Sequence, residues 1–191
     1  MAQTIAQEWQ AQKAEIDPLS MTATRGANAA IDKVSEKKTE VVEMLAEYGG
    51  TDLVCYRSTS PAELIERQAE AWDPLLDWID STFGARLTAH SGVMYAAQDD
   101  AALARLRDVV QGFDSFELSG FHDLVTLSGS LVIALGATQG YADTEAMWKL
   151  SRIDESWQEE QWGEDEEATA LAERKRQDFA NALKFFQQSR D

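Results

Sequence analysis

The stretch LVTLSGSLVIALGA, Leu124 to Ala137, carries no charged side chain in a chain where charge is otherwise dense. It sits inside DSFELSGFHDLVTLSGSLVIALGATQGYADTEAMWKLSRIDESWQEEQWGEDEEA, Asp114 to Ala168, where a nearly uncharged helical run is followed at once by carboxylates and tryptophans. In a single helix through this run, Phe121, Leu124, Val125, Leu131, Val132 and Leu135 line one side, and Phe116, Leu127 and Ile133 fall on others. A helix apolar around its circumference is buried, so this one is expected at the centre of the fold. Gly120, Ser128, Gly129, Ser130 and Gly136 weaken it, by about 1 kcal/mol per interior glycine. Close approach of neighbouring helices would offset that cost. The run is too short for the roughly 20 apolar residues of a bilayer helix, which leaves a core helix as the reading.

Helical periodicity extends outward in both directions. Ile5 and Trp9 are one turn apart, with Ile16 further along a first helix that should stop at Asp17-Pro18. Ile31, Val34, Val41, Leu45 and Tyr48 form a stripe ended by Gly49-Gly50, with a possible break at Ser35. Leu53 to Tyr56 fits either a strand or a buried helical turn. Ser60-Pro61-Ala62-Glu63 has the pattern of a capping box with proline at the first helical position. Trp72-Asp73-Pro74 repeats the device and predicts a bend and a fresh start, with Trp72, Leu75, Leu76, Ile79 and Phe83 on one face. Gly84 to Gln98 reads as loop or short extended passage. Leu103, Leu106, Val110 and Phe113 follow the Asp99-Asp100 pair; Asp143 caps a helix with Ala146, Leu150, Ile153 and Trp157 inward; beyond Gly163, Phe179, Leu183 and Phe186 mark the last helix. The fold class is therefore mainly α, a compact multi-helix domain with little strand, and residues 1–191 are expected to form one domain without repeats or linkers.

Composition limits the partners. The 191 residues hold 34 acidic and 17 basic side chains, a formal net charge of −17. Such a chain repels polyanions, whose binding depends on lysine and arginine displacing counterions, and it favours basic protein surfaces. No nucleic acid and no membrane insertion are expected. The N-terminus lacks the pattern of a signal or transit peptide, and Cys55 is the single cysteine, which points to a reducing, cytoplasmic or equivalent soluble compartment.

Little in the inventory suggests catalysis. His90, His122 and Cys55 match no zinc spacing, and His122 beside Asp123 is expected to point away from it. No nucleophile elbow, phosphate-cradling loop or dinucleotide fingerprint occurs, and Leu127-Ser128-Gly129-Ser130 falls inside the helical run, where its serines read as packing residues. No catalytic residue, cofactor or metal is therefore assigned. The acidic cluster Asp154, Glu155, Glu159, Glu160 and Glu164 to Glu167 remains. With Trp157 inward, Glu155, Gln158, Glu159 and Trp162 recur at three and four residues on another face, and with Asp154 they form the candidate partner-binding set. An aromatic ringed by acceptors suits an arginine-bearing surface.

Several separate motifs carry a resemblance. DLVCYR (Asp52–Arg57), PAELIERQAEAWDPLLDW (Pro61–Trp78), FELSGFHDLVTLSGSLVIALG (Phe116–Gly136) and LSRIDESWQEEQWGEDEE (Leu150–Glu167) occur in the order seen in the ATP12-type family of ATP synthase assembly chaperones, which this chain resembles from about Ala6 to its last helix. The resemblance implies a monomeric, non-enzymatic holdase that covers the free alpha subunit of the catalytic head until the beta subunit replaces it. It implies that an acidic position between the LSR-like and WGE-like motifs matters for function, which maps onto Glu155. It also implies a strand-rich region upstream of the EWQAQ-like helix at Glu8 to Gln12, which this sequence lacks or has lost by truncation. Two alternatives stand beside it: an acidic helical adaptor for another basic protein, and a carboxylate-dependent hydrolase.

Overall fold

The computed structural model describes residues 1–190, and in it helices succeed one another in the order α1 (Ala2–Gln10), α2 (Thr22–Ala29), α3 (Lys38–Glu47), α4 (Ala62–Phe83), α5 (Asp100–Gln111), α6 (Ser115–Ser128), α7 (Leu131–Gln139), α8 (Thr144–Leu150), α9 (Ile153–Trp162) and α10 (Glu166–Ser189). Strand is confined to β1 (Tyr56–Arg57) and β2 (His90–Ser91), a parallel pair in which Tyr56 faces His90. The mainly helical expectation holds, and no helix among the described residues is long and apolar enough to cross a membrane.

The charge-free stretch is central, as two helices rather than one. Gly129, at φ 69°, ends α6 in the left-handed conformation that glycine adopts without steric cost. Ser130 then caps α7, its hydroxyl accepting from the Ile133 amide at 2.9 Å. The Leu127–Ser130 run is thus a helix junction, and its serines hold the two ends together. Phe121, Leu124, Leu131, Val132 and Leu135 are all fully buried. Helix α10 runs along α6, and the contact is close at Gly120: a Cβ there would meet the Ala182 carbonyl and the Phe186 amide at 3.1 Å. Phe113 stacks edge-on to Phe121 and Phe186, with ring centres 5.0 and 5.2 Å apart.

The carboxylate of Asp52 lies beneath the α6–α7 junction. It is fully buried and accepts from Ser130 Oγ at 2.6 Å, from Val132 N at 3.1 Å and from Val54 N at 3.2 Å. Burial pushes its carboxyl up to about 6 against the pull of those donors. Asp52 also starts a 3₁₀ turn, Leu53–Cys55, that runs straight into β1, so the segment contains both structures the pattern allowed.

Several boundaries differ from the sequence reading. Helix α1 ends at Gln10 and Ile16 is exposed; Asp17-Pro18 instead start a separate 3₁₀ turn, with Asp17 accepting from the Leu19 amide. Ile31 is exposed and the buried positions of α3 are Val42 and Leu45, because the helical region breaks at Ser35 and α3 restarts in a new register. Pro61 occupies the N-cap position itself, so Ser60 makes no capping bond. Pro74 lies inside an unbroken α4. An interior proline costs about 3 kcal/mol, but Trp72, Leu75, Leu76 and Ile79 are buried around it, each contributing about 1.5–3 kcal/mol. Asp73, no longer needed as a cap, pairs with Arg57 at 2.8 Å. The Asp143 helix stops at Leu150 and α9 begins afresh at Ile153, so Met147 and Trp148 are the buried residues there, while Ala146, Leu150, Ile153 and Trp157 are half-buried. His122 does reach Asp123, at 2.9 Å, because both side chains are at the surface and free to lean together.

Candidate protein-binding face

Helix α9 contributes no buried residue, and polar contacts hold it over the first half of α4. Gln68 Nε2 donates to Asp154 Oδ1 at 2.6 Å, while Gln68 Oε1 accepts from the Ser58 amide at 2.7 Å. One α4 side chain therefore ties α9 to the segment after β1. Arg67 grips Glu160 with both ends of its fork, at 2.7 and 2.8 Å, and its guanidinium lies 4.9 Å from the centre of the Trp157 ring. That hydrogen-bonded pair holds the Glu160 carboxyl below its usual range. Beneath them, Arg57 donates to the Gln68 carbonyl at 2.5 Å and lies over Trp72, 5.0 Å from its ring centre. Trp72 Nε1 donates to the Leu150 carbonyl at 2.8 Å, which fixes the α8 end from which α9 starts.

Between α9, the start of α4 and the strand pair runs an open groove of about 620 Å³. It is lined by Ser58, Thr59, Pro61 and Leu64 from the segment leading into α4 and its first turn, by Asp154, Trp157, Gln158, Gln161 and Trp162 from α9, and by Gly92 and Val93 from the loop after β2. Of the five residues singled out in the sequence, Asp154, Gln158 and Trp162 face this groove. Glu155 and Glu159 lie on the neighbouring stripe, bound to Arg152 at 3.0 and 3.3 Å. The separation follows from helical spacing: residues 154, 158, 161 and 162 repeat at four, three and one, while 155 and 159 form their own i, i+4 pair one step round the helix.

Sequence reasoning missed the loop beyond β2. Val93 is 93% exposed, Met94 81% and Tyr95 71%, and on the opposite lip Trp162 is 79% exposed. Single exposed apolar residues are ordinary, but here Val93 and Trp162 line one groove and Met94 and Tyr95 follow Val93 directly, which is the kind of apolar exposure that marks a candidate interaction site. The signal available in the sequence was GVMY, large apolar side chains after a glycine without helical period. Among the described residues no group of three or more His, Cys, Asp or Glu side chains is placed to hold a metal ion.

The structure is thus a mainly helical body with an open groove lined by polar side chains, Asp154 and two tryptophans. The family profile described as ATP12 chaperone protein matches residues 1–80. The chain is 45% identical to Atp12 from Paracoccus denitrificans, whose crystal structure superposes with a TM-score of 0.94 over 97% of this chain and 80% of that one. A mutant of the same Paracoccus protein superposes equally well, at 44% identity. The mitochondrial protein atp12 of Schizosaccharomyces pombe is 25% identical over 185 residues, and this chain spans 61% of its length. The chain belongs to the ATP12 chaperone family.

Proposed function

We propose that this chain is an assembly chaperone of ATP synthase that transiently binds the free alpha subunit of the catalytic head, covers the surface later occupied by the beta subunit, and catalyses no reaction. The observation that carries the reading is α9: it contributes no fully buried residue, yet it is pinned by Gln68 and Arg67 so that Trp162 and a run of carboxylates stand in the open. A helix held rigid at the surface with so little burial is suited to binding. The continuous core, which joins Val34 in the first third of the chain to Phe186 in the last helix, supports one helical domain as the working unit. The net charge of −17 favours a basic client surface and fast encounter.

The test compares two charge reversals in binding to isolated alpha subunit. Glu155→Lys breaks the Arg152 pair and places a cation in the first turn of α9, at a stability cost of about 1 kcal/mol or less. It should weaken binding at least tenfold with helix content intact. Glu166→Lys, at an exposed position on α10, should change mainly association rate and salt dependence. Equal small losses would remove α9 from the interface, and failure of the unmodified chain to bind alpha subunit at low salt would overturn the reading altogether.

A further inference from the structure

We infer that the groove between α9 and the loop after β2 receives an extended aliphatic segment of the client, flanked by basic side chains, with Val93 and Trp162 as its apolar lips and Met94 extending the lip beside Val93; this deepens the chaperone reading above and rests on it.

Three observations select that occupant. The first is apolar exposure: Val93 and Trp162, which line the groove, and Met94, next to Val93, are each more than three-quarters exposed, and the loop that carries two of them is anchored at both ends. Gly92 N donates to the Arg57 carbonyl at 2.8 Å, and the buried Gln98 amide brackets Thr88, accepting from its N at 2.8 Å and donating to its O at 2.9 Å. A loop tied in this way presents its side chains at little entropic cost on binding. The second is the polarity of the walls. Thr59, Gln158 and Gln161 are exposed and neutral, and the two glutamine amides each both donate and accept. Such groups match the unpaired N–H and C=O of an extended backbone, whereas a helical ligand has already satisfied its own. The third is charge. Around the groove, Arg57, Arg67 and Arg152 are each paired with carboxylates, Asp73, Glu160, Glu155 and Glu159, so these three arginines are not free to hold an acidic flank. Asp154 lines the groove, and Glu164 to Glu167 follow two residues after its Trp162 in the chain, so basic flanks fit the segment best.

The test uses the full chain and two synthetic peptides that share an alternating valine and leucine core, one ended by arginines and the other by glutamates, with binding followed by fluorescence anisotropy. The arginine-flanked peptide should bind at least tenfold more tightly. Val93→Ser combined with Met94→Ser should weaken it at least tenfold, as should Trp162→Ala, while Leu19→Ser, an exposed leucine on the Pro18–Ser20 turn, should leave it unchanged. All these positions are at the surface, and circular dichroism confirms that each variant is folded. Equal affinity for the two peptides, no binding by the unmodified chain, or full binding by the lip variants would overturn the inference. So would self-association of the unmodified chain that the double variant abolishes, since the occupant would then be a second copy. Capture of alpha subunit without the peptide would fail this inference alone; capture of the peptide without alpha subunit would fail the partner assignment and leave the groove chemistry standing.

Discussion

Replacing Asp52 by asparagine should flatten the pH dependence of stability in a direction opposite to that of most acidic residues. Burial raises the Asp52 carboxyl from 3.8 to about 6 in the folded chain, so the folded state holds this proton more tightly than the unfolded one. Between those values the folded state binds more protons, and stability falls as pH rises. Below about pH 4 the group is protonated in both states and costs nothing; above about pH 6 it is ionised in both and the full penalty is present. A shift of roughly two units corresponds to about 3 kcal/mol. Val54 N and the Ser130 hydroxyl bond one carboxylate oxygen and Val132 N the other, so asparagine keeps one of the two acceptors and sets its NH2 against a donor; that cost does not vary with pH and leaves the difference in slope intact. Urea unfolding of both proteins from pH 4 to 7.5 isolates the effect, because every other carboxylate titrates identically and cancels in the difference. The asparagine variant should gain about 3 kcal/mol relative to the parent across that range. Parallel stability curves, or a parent that gains on the variant as pH rises, would refute the account, and would mean that the donors around Asp52 outweigh its burial.

Two further substitutions probe the core. Leu131→Ala should cost about 2–5 kcal/mol in denaturant unfolding, since the side chain is fully buried and its neighbours on α6 and α7 cannot collapse into the space. Gly120→Ala should cost about 1–3 kcal/mol, because the new methyl meets backbone atoms of α10, which cannot swing aside as a side chain would.

The helical class and the central position of Leu124 to Ala137 were legible because burial imposes composition: a run apolar on every side has nowhere else to go. What pattern alone mistook were its interruptions. Gly129 reads as one weak helix residue among several, and only a left-handed φ followed by a capping serine makes it a boundary. Pro74 shows the reverse error, where a local breaker is overruled by the burial of Trp72, Leu75, Leu76 and Ile79. At the candidate face, residues of α9 could be singled out because their spacing is local. The groove itself was not legible, since part of its lining is Gly92 and Val93, more than 60 positions earlier, and its tie is a single glutamine, Gln68, contacting Ser58 and Asp154. No periodicity records a contact between a loop and a helix so far apart in sequence.

The division of labour among the carboxylates bears on how such a face could release what it binds. Asp154, Glu155, Glu159 and Glu160 already have partners within the chain, in Gln68, Arg152 and Arg67, and Asp165 caps α10 through the Ala168 amide at 2.8 Å. A client arginine that approached one of them would share it with its internal partner, so each such bond adds little by itself, whereas reversing the charge, as in Glu155→Lys, sets a cation against a basic client. Glu164, Glu166 and Glu167 are exposed, and charges of that kind act on encounter rate and are screened by salt rather than desolvated on binding. Residence time must then come from the apolar lips, whose contribution scales with the area they bury and which carry no long-range pull. Fast electrostatic capture joined to a small apolar grip would give a complex that forms readily and yields to a larger, better-fitting interface, the behaviour that the proposed chaperone role calls for.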